Sequence, residues 1–592
     1  VNRWRLAAAR LRLAAVGAAW GLGAAGLLVG HLRSADAIPP LAMGALAGAG
    51  LALIRPRWTA LDHPVAAWVA AAAGVLMARL PEPTFFLLVP LVAAAVGWPV
   101  GTADPEERRA PRWALPATFL AAVLVFFFQS AHRHWTFGSG SRDLGLFYQT
   151  HWLIAHGQPP VDTVIGRHAL AGHMELIDYA VAPLLRVYDG AEVLLLVQSV
   201  AVASAVFPLA WLGARLLGSS AAGLVLGWAW LLAPDLHLGL MSGYNPTQLG
   251  AAGLLWTAWA LLVRGPAAAL LIGLATCLAK ESFCLYVAIL ALVLARRGAG
   301  RRGVFVAAMA VALYVLETTV LVPRFRPGGF RHADYEDLGE APPETATAAA
   351  TRPQDAVAVL VNHPQKRRSL LQPLAATGYA GLADPMTVLL QAPNWAERLL
   401  SAHRTRWWGY HHGTPAAATA VVGLLLGWRR LRAAGRAAPG LPRYVLSCAL
   451  LAGLLPPFGT PGGNRRSDLY QVGQPYASAP DEVRTQRAAV RFIGSDPRTK
   501  VAAQDHLLPH LAGRPAILML DRAAEADVVA LQLDGGAWPE GRPAWRRRMQ
   551  DLWAAGGFHV AFCQGRTVVL RRGAGGPVAC PAWDALIADR GP

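Results

Sequence analysis

Charge is scarce in this sequence. Only 15% of its 592 residues are Asp, Glu, Lys or Arg, against about a quarter in an ordinary soluble domain. Lysine is nearly absent, occurring only at Lys280, Lys366 and Lys500, so arginine supplies almost all of the basic excess behind the net charge of +18. No Walker loop or dinucleotide fingerprint occurs in a strand-to-helix setting, which argues against ATP-driven or nucleotide-sugar chemistry. Cysteine is sparse too. Cys277, Cys284 and Cys448 lie in apolar runs, where buried structural thiols are expected. Cys563 and Cys580 are the pair left in the polar C-terminal stretch, where a disulfide and two free thiols stand as even alternatives.

Apolar sequence is what the chain has in abundance. It is 54% hydrophobic, with long runs separated by arginine-rich punctuation. That pattern is a polytopic membrane protein and excludes disordered, collagen-like and coiled-coil chains. A basic chain also invites a nucleic-acid reading. Here, however, the arginines flank hydrophobic runs, where they act as topology signals and lipid-headgroup contacts, so the expected partner is the bilayer.

Since a helix needs about 20 apolar residues to cross a bilayer, spans are expected at 12–30, 37–54, 64–79, 84–100 and 113–130. Further spans follow at 191–213, 220–240, 247–263, 266–280, 282–295, 303–322, 414–428 and 444–460. These are about thirteen in all, several of them short. Arg3, Arg5, Arg10 and Arg12 before the first run predict a retained helix with a cytoplasmic N-terminus. Alternate counting then places Arg55, Arg57, Arg108, Arg109, Arg112, Arg215, Arg264 and the group Arg296, Arg297, Arg301 and Arg302 on the cytoplasmic side. Loops 131–190 and 323–369 fall outside. A simple span at 370–393 would put Arg429, Arg430, Arg432 and Arg436 on the wrong side. That stretch, interrupted by Gly378, Gly381 and Pro385, is therefore expected to be a re-entrant or paired half-helix element.

The predicted fold class is mainly α: a transmembrane helical bundle with a small extracytoplasmic α/β domain. The domain boundaries expected are 1–112, an additional four-helix membrane segment, 113–464, the main membrane domain, and 465–592, the α/β domain. In the last, strands are expected at 500–503, 515–520 and 526–531, helices near 482–494 and 541–555, and a hairpin 558–562 with 566–571 turning at Gln564-Gly565.

The first external loop is the richest in chemistry. Leu144, Phe147, Trp152 and Leu153 share a helical face, which predicts a helix lying along the membrane surface. Asp143 at its start reads equally as an N-cap and as a base or metal ligand. His173 and Glu175 precede an apolar segment too short to cross, and the Asp, His and Glu together lack a metal-ligand spacing. Lys280-Glu281 lies between two apolar runs, a costly place for charge that implies pairing, a cavity or the external end of a helical hairpin. His411 and His412, after Trp407 and Trp408, face either the same cavity or an interfacial aromatic belt.

Asp143-Leu144-Gly145-Leu146-Phe147-Tyr148-Gln149, then Trp152 to Pro160 and Gly172-His173, resemble the signature of a bacterial family of membrane proteins (domain of unknown function 2079). Ala279-Lys280-Glu281, Leu370 to Pro373, Leu389 to Asn394, Tyr410-His411-His412 and Ala502 to Arg514 extend the resemblance over roughly 113–570. That family is distantly similar to GT-C glycosyltransferases, multispan enzymes that use a polyprenyl-phosphate sugar. The resemblance implies inverting transfer to a cell-envelope acceptor outside the cytoplasmic membrane, with Asp143 as the catalytic base and His173 as its catalytic partner. Arg142, Gln149, Glu175, Lys280, Glu281, His411 and His412 form the expected substrate-binding set. Many GT-C enzymes carry a second acidic residue beside the first, but here Arg142 and Leu144 flank Asp143. This departure favours a monophosphate donor held by arginines over a metal-bound diphosphate, so no metal ligand is assigned and a divalent ion is left open as cofactor. Arg142, Arg167, Arg404 and Arg406 are the candidate phosphate contacts. A transporter or flippase of lipid-linked substrates, and a non-catalytic scaffold, are the competing readings.

Overall fold

The computed structural model of the chain describes residues 110–326, 335, 338–339, 342–407, 410–436, 440–454, 480–536, 540–576 and 578–589. The four spans expected before residue 110 lie outside these residues, as does much of 323–341.

Helices begin where an apolar run meets a capping side chain or a proline. Asn245 accepts a hydrogen bond from the Thr247 backbone N–H at 3.0 Å, and Pro246 opens the helix Pro246–Val263. Ser219 accepts from Ala222 at 3.1 Å at the head of Ser220–Leu231. Each side chain satisfies an N–H that the helix itself leaves unpaired.

Ala114–Trp135, Glu192–Leu216, Glu281–Ala299 and Arg301–Phe325 are long and apolar enough to cross a bilayer. Ser220–Leu231 and Pro234–Met241, bent by 46° at their junction, make a fifth if taken as one span. The expectation of about thirteen spans is therefore met only in part among the described residues. Pro266–Cys277 has 12 residues, below the length a lone span needs, and Leu441–Leu454 runs to the edge of the described residues. Thr414–Ala433 is 20 residues long but carries Arg429, Arg430 and Arg432 in its last turns.

The stretch expected to be re-entrant holds two helices, Pro364–Ala375 and Met386–Asn394, joined through a short 3-10 turn at Ala380–Ala383. Asp384, just after that turn, pairs with Arg297 at 2.7 Å. Other arginines gather at this end of the bundle. Arg429 donates to the Arg297 carbonyl at 2.9 Å, Arg302 to the Arg264 carbonyl at 2.6 Å, and Arg432 to that of Leu217. Carbonyls that end a helix lack intrahelical donors, and arginine's fork supplies them.

The C-terminal α/β region holds a mixed five-stranded sheet in the spatial order Ile517–Leu518, Val501–Ala503, Val528–Gln532, Thr567–Arg572, Phe558–Gln564. The first three strands are parallel and the last two antiparallel additions. Helices Pro480–Ile493 and Arg542–Ala554 match the two expected from sequence. The hairpin turns where expected, with Gly565 at φ 59°, a conformation that costs glycine little. The cysteine alternatives resolve to a Cys563–Cys580 disulfide with Cα atoms 5.7 Å apart. Closing a loop of this length contributes about 3 kcal/mol. Cys563→Ser should therefore lower the denaturant midpoint of this region, read on the full chain by hydrogen-exchange mass spectrometry of peptides from its five strands, and an unchanged midpoint would show the bond to be dispensable.

One expectation about the first loop is corrected. Leu146–Ala155 does not present a polar face to water. Phe147, Tyr148, Gln149, Thr150, His151, Trp152 and Leu153 are all buried. Leu144, Phe147, Trp152 and Leu153 share one core with Val501, Leu507, Leu508, Leu511 and Ile517. The apolar stripe faces the α/β region, which covers this helix.

Candidate functional site

Asp143 lies in a short π-helical turn, Ser141–Gly145, that leads into the buried helix. It is not the cap of that turn. Asp505, from the α/β region, does that work, accepting hydrogen bonds from the Ser141 N–H at 2.7 Å and the Ser141 hydroxyl at 2.6 Å. The Asp143 carboxylate makes no hydrogen bond among the described residues. Its nearest partner is His411, whose Nδ1 stands 4.0 Å from Oδ1 and has no hydrogen-bond partner of its own. The Asp143 side chain keeps 36% of its exposure. Burial of its surroundings raises its pKa to about 7, with Arg133 and Arg142 opposing the rise and Asp505 adding to it.

Beyond His411 is a cavity of about 400 Å³ lined by His173, Lys280, Tyr286, Glu397, Arg406 and His412, among others. Leu285, Ile289 and Tyr314 continue its wall along the apolar helices. His411 and His412 have ring centres 4.0 Å apart and so link the Asp143 side to the cavity. Burial holds the His411 imidazole down at about 3, helped by Lys280 and His173, and His412 is depressed for the same leading reason. Both rings are therefore neutral at ordinary pH.

Lys280 and Glu281 do not pair with each other. Lys280, just ahead of the helix Glu281–Ala299, reaches Glu397 at 2.7 Å. Glu281 turns the other way, taking His173 Nδ1 at 2.8 Å with one oxygen and the Met174 N–H at 2.9 Å with the other. Tyr286 donates to the second oxygen of Glu397 at 3.1 Å, and Asn394 donates to the Tyr286 hydroxyl at 3.1 Å and the His412 carbonyl at 2.8 Å. One network thus ties the 281–299 helix, the end of Met386–Asn394 and the His412 turn.

Of the residues singled out in the sequence, His173, Lys280, Glu281, Arg406 and His412 line this cavity. Asp143 and His411 stand beside it. Gln149 is elsewhere: it is wholly buried, bonded to Thr163 at 2.8 Å and to the Pro515 carbonyl at 3.2 Å, and joins the first loop to the α/β region. Glu175 is half-buried near Asp178 and Glu281, and their charges add to the burial that keeps its carboxyl protonated to unusually high pH. Arg142, Arg167 and Arg404 are exposed. Trp407 is no membrane-belt residue. It is buried under the Lys366 ammonium, 4.5 Å from the ring centre, and Trp408 lies outside the described residues. Sequence alone gives no role to Glu397, Tyr286 or Asp505. Glu397-Arg398 is an isolated pair of charges after an apolar run, the same signal that marks Lys280-Glu281. No group of three or more His, Cys, Asp or Glu among the described residues is arranged to hold a metal.

A family model described as predicted membrane protein (DUF2079) matches residues 133–568. The chain belongs to this family. The match takes in both the Asp143 loop and most of the α/β region that covers it. Two solved structures of ArnT from Cupriavidus metallidurans, one bound to undecaprenyl phosphate and one in the apo state, are similar at 11% identity. They cover 78% and 77% of this chain and 98% and 97% of their own, with TM-scores of 0.45 and 0.44. No curated protein matches the chain.

Proposed function

We propose that this protein is an integral membrane glycosyltransferase that moves a sugar from a polyprenyl-phosphate donor to a cell-envelope acceptor outside the cytoplasmic membrane. The observation that carries the reading is a carboxylate free of hydrogen bonds among the described residues, at Asp143, beside a cavity with charged side chains, Lys280, Arg406, Glu281 and Glu397, at one part of its wall and apolar side chains along another. A lipid phosphate has that same division. In this reading Lys280 and Arg406 face the phosphate, Leu285 and Ile289 the start of the hydrocarbon chain, and Asp143 the acceptor hydroxyl. Asp143 removes the hydroxyl proton as the oxygen attacks the anomeric carbon; the bond to the phosphate breaks and its electron pair leaves with the lipid phosphate. His173 is oriented through its ring by Glu281, and Asn394 holds the His412 backbone through its carbonyl.

Sidedness is part of the proposal. Arginines at the Arg297–Asp384 end mark the cytoplasmic face by the positive-inside rule, and the disulfide suits an oxidising exterior for the α/β region.

A base must be ionised to act. With the Asp143 carboxyl raised to about 7, kcat/KM should climb with pH through about 7 and level off above it. A profile already flat down to about pH 5 would remove Asp143 from the base role. The reaction class is tested by mass spectrometry of lipid extracts from a deletion strain. An accumulated polyprenyl-phosphate sugar or a missing glycan supports transfer. Substrate movement across vesicles by the purified protein, with no glycosylated product, would replace the reading with a transporter.

A further inference from the structure

The Asp143 turn is held from outside the membrane bundle. Asp505 is 364 residues away in sequence, yet one of its oxygens accepts both the Ser141 N–H and the Ser141 hydroxyl. The next residue, His506, stands with Nδ1 3.2 Å from the Ser139 carbonyl. Ser139 in turn bonds His134 at 2.8 Å, and His134 stacks on His510 with ring centres 4.1 Å apart. The approach is close enough to dictate composition. A Cβ on Gly145 would come within 2.6 Å of Leu508, and one on Gly140 within 3.4 Å of the Asp505 carboxylate. A side chain at 145 would force the Leu508 side chain to move, since its Cδ2 is the atom met first.

We propose that Asp505 is a positioning residue for Asp143, so that the α/β region is a working part of the active centre. This rests on the glycosyltransferase reading above. The Ser141–Gly145 turn leaves its first N–H groups unpaired, and Asp505 fixes one of them together with the adjacent hydroxyl. With that end of the turn pinned, the Asp143 carboxylate two residues on is held between Gly243 on one side, whose added Cβ would lie 3.3 Å from the Asp143 Cβ, and His411 on the other. An error of about 1 Å in such a group costs up to about 10²-fold in rate. The charged and titratable groups that face Asp143 are Arg133, Arg142, Asp505 and His411. Of these only Asp505 is a second carboxylate, so its charge raises the proton affinity of Asp143.

The test compares Asp505→Ala, Asp505→Asn and Ser141→Ala in the full chain, reconstituted in nanodiscs, with thermal unfolding as a check on folding. Transfer is measured with total lipid extract from cells lacking the protein as the donor. Asp505→Ala should lower kcat by about 10- to 100-fold with KM changed little. Asp505→Asn, which keeps an acceptor oxygen but loses the charge, should retain most of kcat and move the acid limb of the pH profile to lower pH. A second measurement needs no substrate: difference infrared titration of the protonated carboxyl band that disappears in Asp143→Asn. Its midpoint should fall in Asp505→Asn. Unchanged kcat in folded Asp505→Ala together with an unmoved midpoint in Asp505→Asn would overturn the positioning role while leaving the transfer reading intact. Full transfer by Asp143→Asn would instead overturn the reading on which the proposal rests.

Discussion

Asp143→Asn is expected to lose transfer by about 10²- to 10⁴-fold, the usual worth of a general base, while assembling normally. Assembly should survive because the Asp143 side chain makes no hydrogen bond among the described residues, and the turn around it is held through Ser141 and Asp505. An asparagine fills the same space and cannot take the proton. The loss should fall on kcat with KM nearly unchanged, since the groups proposed to hold the donor phosphate, Lys280 and Arg406, lie across the cavity. Purified variant and parent would be compared for product formed and for melting temperature. Full activity in a folded Asp143→Asn protein would remove the residue from the reaction, and a misfolded variant would assign it a structural role.

The largest stability effect is expected at Arg398. This guanidinium is 2% exposed and stands 3.7 Å from the fully buried Asp235. It also donates to the carbonyls of Arg406 at 2.6 Å and Trp407 at 3.0 Å, and to the Ser369 hydroxyl at 2.8 Å. Arg398→Ala strands the Asp235 carboxylate in the interior, a loss of about 3–5 kcal/mol. It also releases the segment that leads to His411 and His412, so activity should fall with stability. Replacing both partners, as in Asp235→Asn with Arg398→Met, removes the stranded charge and should recover part of the lost stability. Thermal unfolding in detergent reads both variants. A single variant as stable as the parent would show that Asp235 is neutral or otherwise compensated.

Much of the bundle was legible in the sequence because bilayer crossing depends on composition over a window, which arginine punctuation then orients. The break in 370–393 was legible from Gly378, Gly381 and Pro385, and the structure divides this stretch between Pro364–Ala375 and Met386–Asn394. Span number was less legible. Pro266–Cys277 is apolar throughout but only 12 residues long, and hydropathy read over a window does not fix where a helix starts and stops. The site was legible as a set of residues but not as a set of partners. Lys280 and Glu281, adjacent in sequence, point to different carboxylate and imidazole partners because Lys280 precedes its helix in extended conformation while Glu281 is already inside it. Gln149 stands in the same motif as Asp143 yet serves the joint with the α/β region. Asp505 was visible within a matching motif. Nothing local links it to Ser141, because that contact is made only when two segments far apart in sequence meet.

That separation has a consequence for biogenesis. Ser141, in the turn bearing Asp143, and Asp505, which holds it, are synthesised 364 residues apart, about 20 to 70 seconds at ordinary translation rates. During that interval Phe147, Trp152 and Leu153 have no sheet to pack against and Ser141 has no acceptor. The membrane helices can insert in order as they emerge, but the proposed reaction centre closes last. A chain released before residue 505 would be a membrane bundle with an unaimed carboxylate and an exposed apolar helix, a substrate for quality control rather than a slow enzyme.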